Sequence, residues 1–107
     1  MSILINLTPH DITFISENGE NRIIPPSGEL ARVAAKTVTV GYIDGIPVTT
    51  TEFGAVEGLP EPAANTIYIV SSLVAQRVPE RIDVYVPSES VRDENGRIIG
   101  CKSLGKI

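Results

Sequence analysis

Cysteine, histidine and tryptophan are almost missing from this chain, which has one Cys, one His and no Trp. A single Cys101 excludes an internal disulfide framework and fits a reducing cytosol. One Cys and one His cannot make a zinc site within one chain. Runs of basic residues are missing too. The nine Lys and Arg are scattered and the formal net charge is -4, so nothing resembles the clustered positive groove that DNA or RNA requires. No stretch approaches the length of an apolar membrane span. The opening MSILINLTPH lacks the basic start and apolar segment of a signal peptide. A cytoplasmic location is expected. No Walker loop, Gly-x-Gly-x-x-Gly, Gly-x-Ser-x-Gly or zinc-protease helix occurs, and neither a metal nor a cofactor is expected.

What is present is enough for a folded domain. At 107 residues and 42% hydrophobic content, the chain is expected to form a single domain over residues 1–107 with its own core. The stretch Asn65 to Pro87 looks central. Ile67 to Val70 form a β-branched and aromatic strand, Ser71 and Ser72 follow as candidate caps, and Leu73 to Val78 read as a helix that Pro79 stops.

Around it the pattern is one of hairpins. Ile3 to Leu7 reads as a strand ending at the Thr8-Pro9 turn. Asp11 to Ile15 and Asn21 to Ile24 flank turn chemistry at Glu17 to Glu20. Pro25 to Gly28 read as a loop, followed by a short extended piece at Glu29 to Val33. Thr37 to Ile43 and Ile46 to Thr51 flank Asp44-Gly45, with Pro47 marking an edge strand. Phe53 to Pro62, with two glycines and two prolines, reads as an irregular loop tacked down by Val56 and Leu59. Ile82 to Val86 should end at Pro87, and Val91 to Cys101 form a third hairpin around Asn95-Gly96. The last residues are expected to fray. The sum is an α+β, mainly β domain: an antiparallel, hairpin-rich sheet with one short helix. Its open edges are expected to be covered by another copy, making an oligomer.

Few residues suggest chemistry. His10 beside Asp11 resembles half a catalytic pair, but neighbours along a strand face opposite ways, so packing or hydrogen bonding after the Thr8-Pro9 turn is the plainer role for His10. Cys101 at the end of an apolar strand reads as an inert small hydrophobe. Asp93 to Gly96 lacks the alternating ligands of a calcium loop. The remaining possibility is anion binding. Ser71 and Ser72 stand between strand and helix, where hydroxyls and amides can hold a phosphate or simply cap the helix. Arg92 and Arg97 flank a hairpin turn and should lie near one another, either beside a ligand or paired with Asp93 or Glu94. Arg32 and Arg81 are weaker candidates.

INLTPHDITFI, TEFGAVEGLPEP, TIYIVSSLVA and VRDENGRIIGCKSL together resemble a small phage and prophage group, the first-described type of Thoeris anti-defence protein. The resemblance spans nearly the whole chain. It implies a sponge that binds cyclic ADP-ribose isomers made by TIR-domain defence enzymes and traps them without cleaving them. It also implies a homo-oligomer, a dimer or a hexamer built from dimers, with pockets between protomers, and in some members separate sites for cyclic oligonucleotides. By this resemblance Arg92 is the best match to a ligand-contacting arginine and Arg32 a second, while no residue is matched to the family's aromatic contact; on physical grounds alone, Tyr68 or Phe53 offers a face to adenine. The alternatives are a phage assembly or protein-interaction module, and a small nucleotide-processing enzyme using Asp83, Asp93 or His10.

Overall fold

The computed structural model describes residues 2–107. Six strands form one sheet in the order β1 (Ile3–Asn6), β6 (Thr66–Ile69), β7 (Val84–Arg92), β8 (Ile98–Gly105), β2 (Ile12–Ile15), β3 (Asn21–Ile24). Two longer strands, β4 (Arg32–Ile43) and β5 (Ile46–Glu57), pair only with each other. One helix among the described residues, α1 (Ser72–Arg77), follows β6. The protein is mainly β with a single short helix, as the sequence implies. The sheet is mixed rather than antiparallel, however, because β6 runs parallel to both β1 and β7, and β2 runs parallel to β8. Those pairings join segments far apart in sequence, which hairpin signals do not report.

The sheet curls until its two edge strands meet. Asn6 at the end of β1 is 1% exposed, and its Nδ2 donates to the carbonyls of Ile24 on β3 (3.0 Å) and of His10 (2.8 Å). Its Oδ1 accepts from the Thr8 backbone N–H (2.9 Å) and hydroxyl (2.6 Å). The Ser27 N–H donates back to the Asn6 carbonyl. One short amide side chain thus closes the seam between β1 and β3 and folds the Thr8-Pro9 turn, satisfying groups that would otherwise be buried unpaired.

Alternation along β6 divides the apolar residues in two. Ile69 packs with Ile12, Ile24 and Cys101 in one cluster. Tyr68 and Val70 face the other way, into a cluster with Leu7, Val74, Ala75, Val84 and Val86. Helix α1 covers this second cluster with Val74 and Ala75, and Val33 and Val56 from the start of β4 and the end of β5 pack against it.

Four boundaries differ from the sequence expectation. The extended piece at Glu29 to Val33 is not separate, since Arg32 opens a continuous twelve-residue strand. Phe53 to Glu57 belongs to β5 instead of a loop, its irregularity absorbed by a bulge opposite Val33 to Ala35. Strand β7 passes through Pro87. Its pairing with β6 stops at Tyr85, so beyond that point it has only β8 beside it and no ladder bond is asked of the proline nitrogen. The C-terminal residues do not fray: β8 runs to Gly105, and Lys106 Nζ donates to the Arg81 carbonyl at 2.8 Å.

Arg81 and Asp83 form a half-buried bidentate pair, with Nε and Nη2 each 2.8 Å from a carboxylate oxygen. Arg81 Nη2 also donates to the Pro60 carbonyl. The hydrogen bonds from Arg81 hold the Asp83 carboxyl below its ordinary range, against the opposing effect of burial. A carboxyl whose folded pKa is depressed adds stability above its unfolded pKa of about 3.9, and that stability is lost as pH falls through the folded value. Asp83→Asn is therefore expected to cost about 3 kcal/mol at neutral pH, by leaving Arg81 buried without its partner. The gap from wild type should close under acid. Urea melts at neutral and strongly acidic pH check this, and a gap that stayed constant would contradict the ion pair.

Candidate functional site

The exposed polar groups at the C-terminal end of β6 come from three parts of the chain. The Leu7 N–H donates to the Ile69 carbonyl and the Ala31 N–H to the Leu7 carbonyl. This brings the start of β4, and so Arg32, to the end of the sheet where Ser71 begins α1. Ser71 occupies the N-cap position in extended conformation, with φ -71 and ψ 159, but its side chain makes no capping hydrogen bond. Ser71 and Ser72 are both exposed. The hydroxyls that the sequence offers as caps are thus not spent on the helix.

Arg32 Nε lies 3.4 Å from the Glu57 carboxylate, and the two side chains are 70% and 56% exposed. A solvated pair of this kind holds its members weakly, so Arg32 can exchange partners. At the other end of α1, the Arg77 guanidinium stacks 4.8 Å over the Phe53 ring. Phe53 is itself exposed. An exposed ring with a cation beside it is a surface on which a purine can stack.

The other sequence candidates lie elsewhere. Arg92 and Arg97 flank the β7–β8 turn as expected, but Arg92 pairs with neither Asp93 nor Glu94. Its Nη1 donates to the Gly96 carbonyl at 2.7 Å, while Asp93 Oδ1 accepts from the backbone N–H groups of Asn95 and Arg97. From Tyr85, where β7 leaves β6, to Arg92 is about 23 Å of strand at the usual rise. One copy therefore does not bring Arg92 and Arg97 to Ser71, Ser72 and Arg32. Tyr68 is 3% exposed. Its hydroxyl donates to the Glu61 carbonyl and its ring lies under Arg81, so it has no free face to offer adenine.

Nor do the potential acid, base and nucleophile groups gather. Asp83 is held charged by Arg81, the reverse of what a general acid needs at neutral pH. Burial pushes the Cys101 thiol up, and its Sγ sits 3.7 Å from the Thr13 carbonyl. His10 is exposed, and its backbone carbonyl serves the Asn6 seam. Among the described residues no three His, Cys, Asp or Glu form a metal-holding group. A cavity of about 440 Å³ opens at the opposite end of β6, beside Asn65, Glu80, Arg81 and Asp83. Its strongest polar groups already satisfy each other.

Sequence reasoning missed Arg77. It stands in no motif, and only the fold places it over Phe53.

The geometry defines a mainly β protein with free hydroxyls and one exchangeable arginine at the C-terminal end of β6, and an aromatic–cation pair at the far end of α1. No family model matches the chain, and neither a curated protein nor a solved structure does. No described helix is long and apolar enough to cross a membrane.

Proposed function

We infer that this protein is an anti-defence sponge that binds cyclic ADP-ribose-type nucleotide signals without cleaving them, and so blocks bacterial TIR (Thoeris) immunity in the host cytoplasm. The reading rests on the sequence resemblance. The observation that best supports it is the start of α1, where the Ser71 side chain makes no capping bond and Ser71 and Ser72 are both exposed, at the end that carries Arg32. A pyrophosphate accepts from such donors through charge-assisted bonds, and the Phe53–Arg77 pair supplies a stacking surface. Asp83 and Cys101 are both poorly disposed to react, which favours holding over turnover. Arg92 and Arg97 would join the same ligand only from a second copy, in keeping with the pockets between protomers that the resemblance implies. Cyclic oligonucleotides would take separate sites.

Calorimetric titration with cyclic ADP-ribose isomers tests this reading. Ser71→Ala with Ser72→Ala is expected to weaken binding tenfold or more, each lost hydrogen bond contributing about 1 kcal/mol. Stability should change little, because the hydroxyl at the cap makes no helix bond. Arg92→Ala is expected to weaken binding by about 1.5 to 3 kcal/mol with the fold intact. Unchanged affinity in both variants would remove these residues from the site.

A second reading, a phage protein-interaction module, is favoured by one feature, the long β4–β5 hairpin that stands away from the sheet.

A further inference from the structure

The β4–β5 hairpin is an arm. Each strand has twelve residues and no partner beyond the other. The molecule measures 56 × 40 × 23 Å with a radius of gyration of 17.1 Å, against about 13 Å for a compact chain of this length. Val33 and Val56 tie the base to the core and Arg77 of α1 reaches Phe53; beyond Phe53 no described element covers the arm. Two-stranded hairpins without a second layer are marginal in water. This arm is also apolar towards its tip, where Val40, Tyr42, Ile43 and Ile46 are all more than 60% exposed. From Thr37 to Thr51 the only charge is Asp44. A continuous, nearly uncharged projection of this kind marks a contact surface.

The ladder says what fits it. Every β5 residue from Ile46 to Phe53 has a partner on β4, with one bulge on β4 at Val40, between Thr39 and Gly41, so alternate β5 residues divide between faces and each cross-strand partner shares its neighbour's face. One face carries the pairs Ile43–Ile46, Gly41–Val48, Val38–Thr50 and Lys36–Glu52. The other carries Tyr42–Pro47, Thr39–Thr49, Thr37–Thr51 and Ala35–Phe53, and its Phe53 end is already occupied by Arg77. A two-fold axis running along the arm lays β4 of one copy over β5 of the other. On the first face Ile43 then meets Ile46, Val38 meets Thr50, and Lys36 meets Glu52, each contact made twice. Apolar groups meet apolar ones and opposite charges face each other, with no like-charge contact at any rung.

We propose that the face bearing Ile43, Ile46, Val48 and Lys36–Glu52 is a self-complementary docking surface through which two copies of this chain pair arm to arm. The pairing does not depend on the nucleotide reading, although it would supply the homo-oligomer that reading implies. The face is narrow compared with the roughly 1,000 Å² that a stable interface usually clears, so association should be concentration-dependent.

Sedimentation equilibrium of the ligand-free full chain, from micromolar to near-millimolar concentration, tests the proposal. Wild type is expected to pass from monomer to dimer. Ile43→Glu with Ile46→Glu should raise the dissociation constant tenfold or more. These side chains are exposed in the single copy, so circular dichroism should not change. Lys36→Glu should weaken association, and Lys36→Glu with Glu52→Lys should restore it, whereas Tyr42→Glu on the opposite face should leave it unchanged. A wild type that stays monomeric throughout overturns the proposal, as does an Ile43/Ile46 variant that associates as tightly as wild type or a Tyr42 variant that alone loses association.

Discussion

Asn6→Asp is expected to be among the most damaging single substitutions in this protein, although it exchanges one nitrogen for one oxygen. The two carbonyls that receive Nδ2, those of Ile24 and His10, would face a carboxylate oxygen at the same distances. The site is 1% exposed, and an ionised group there has no cation to pair with. The carboxyl must either be buried charged or take up a proton, and each course carries a penalty. The expected loss is about 4 kcal/mol at neutral pH, summing two repelled acceptors and a desolvated charge. For a domain of this size that is roughly 20 °C in melting temperature. The variant should recover part of the loss in acid, where a protonated carboxyl can donate one hydrogen bond to one of the carbonyls. Thermal melts at neutral and acidic pH give the answer. A variant within 1 kcal/mol of wild type, a threshold set by the usual spread of surface substitutions, would mean that the seam between β1 and β3 is not closed by this side chain.

Gly58→Ala is expected to be nearly as severe, for a steric reason that can be isolated. Gly58 has φ +81, and a Cβ there would land on the Leu30 carbonyl group. Gly96 has almost the same φ, +80, with nothing near where its Cβ would go. Both substitutions pay the left-handed backbone penalty of about 1 kcal/mol, so Gly96→Ala measures that penalty alone. The excess for Gly58→Ala is the cost of parting the arm base from the Leu30–Ala31 segment, expected at about 2 kcal/mol or more, as for other overpacked sites. Equal losses in the two variants would show that the close approach at Gly58 is easily relieved.

Local chemistry made much of this fold legible in advance. The turns at Asp44-Gly45 and Asn95-Gly96 lie where their residue types placed them, with Asp44, Gly45 and Gly96 all at positive φ. Alternation and β-branching located β2, β3 and β6, and Pro79 stands just past the end of α1. Long-range pairing was not legible. The parallel contacts of β6 with β1 and β7 depend on side chains packing across the whole chain, and a sequence window carries no register between distant strands. Glycine and proline between Phe53 and Pro62 suggested a loop, yet β5 absorbs Gly54 beside Ala34 at a bulge. At the candidate site the sequence pointed to Ser71, Ser72 and Arg32, which share one end of the sheet. It also pointed to Arg92, Arg97 and Tyr68, which one copy does not bring there. Residue type marks a donor or an aromatic face. Whether that group is free depends on neighbours such as Glu61 and Arg81 around Tyr68, which only the tertiary structure supplies.

The central claim is that the protein holds a cyclic nucleotide signal and gives it back unchanged. The direct measurement mixes purified protein with cyclic ADP-ribose isomers and determines the free ligand. The protein is then denatured by heat, and what it releases is identified by mass spectrometry. The account predicts that free ligand disappears in proportion to the protein added and returns intact on heating. No depletion with protein in excess, or release of a chemically altered product, would contradict it.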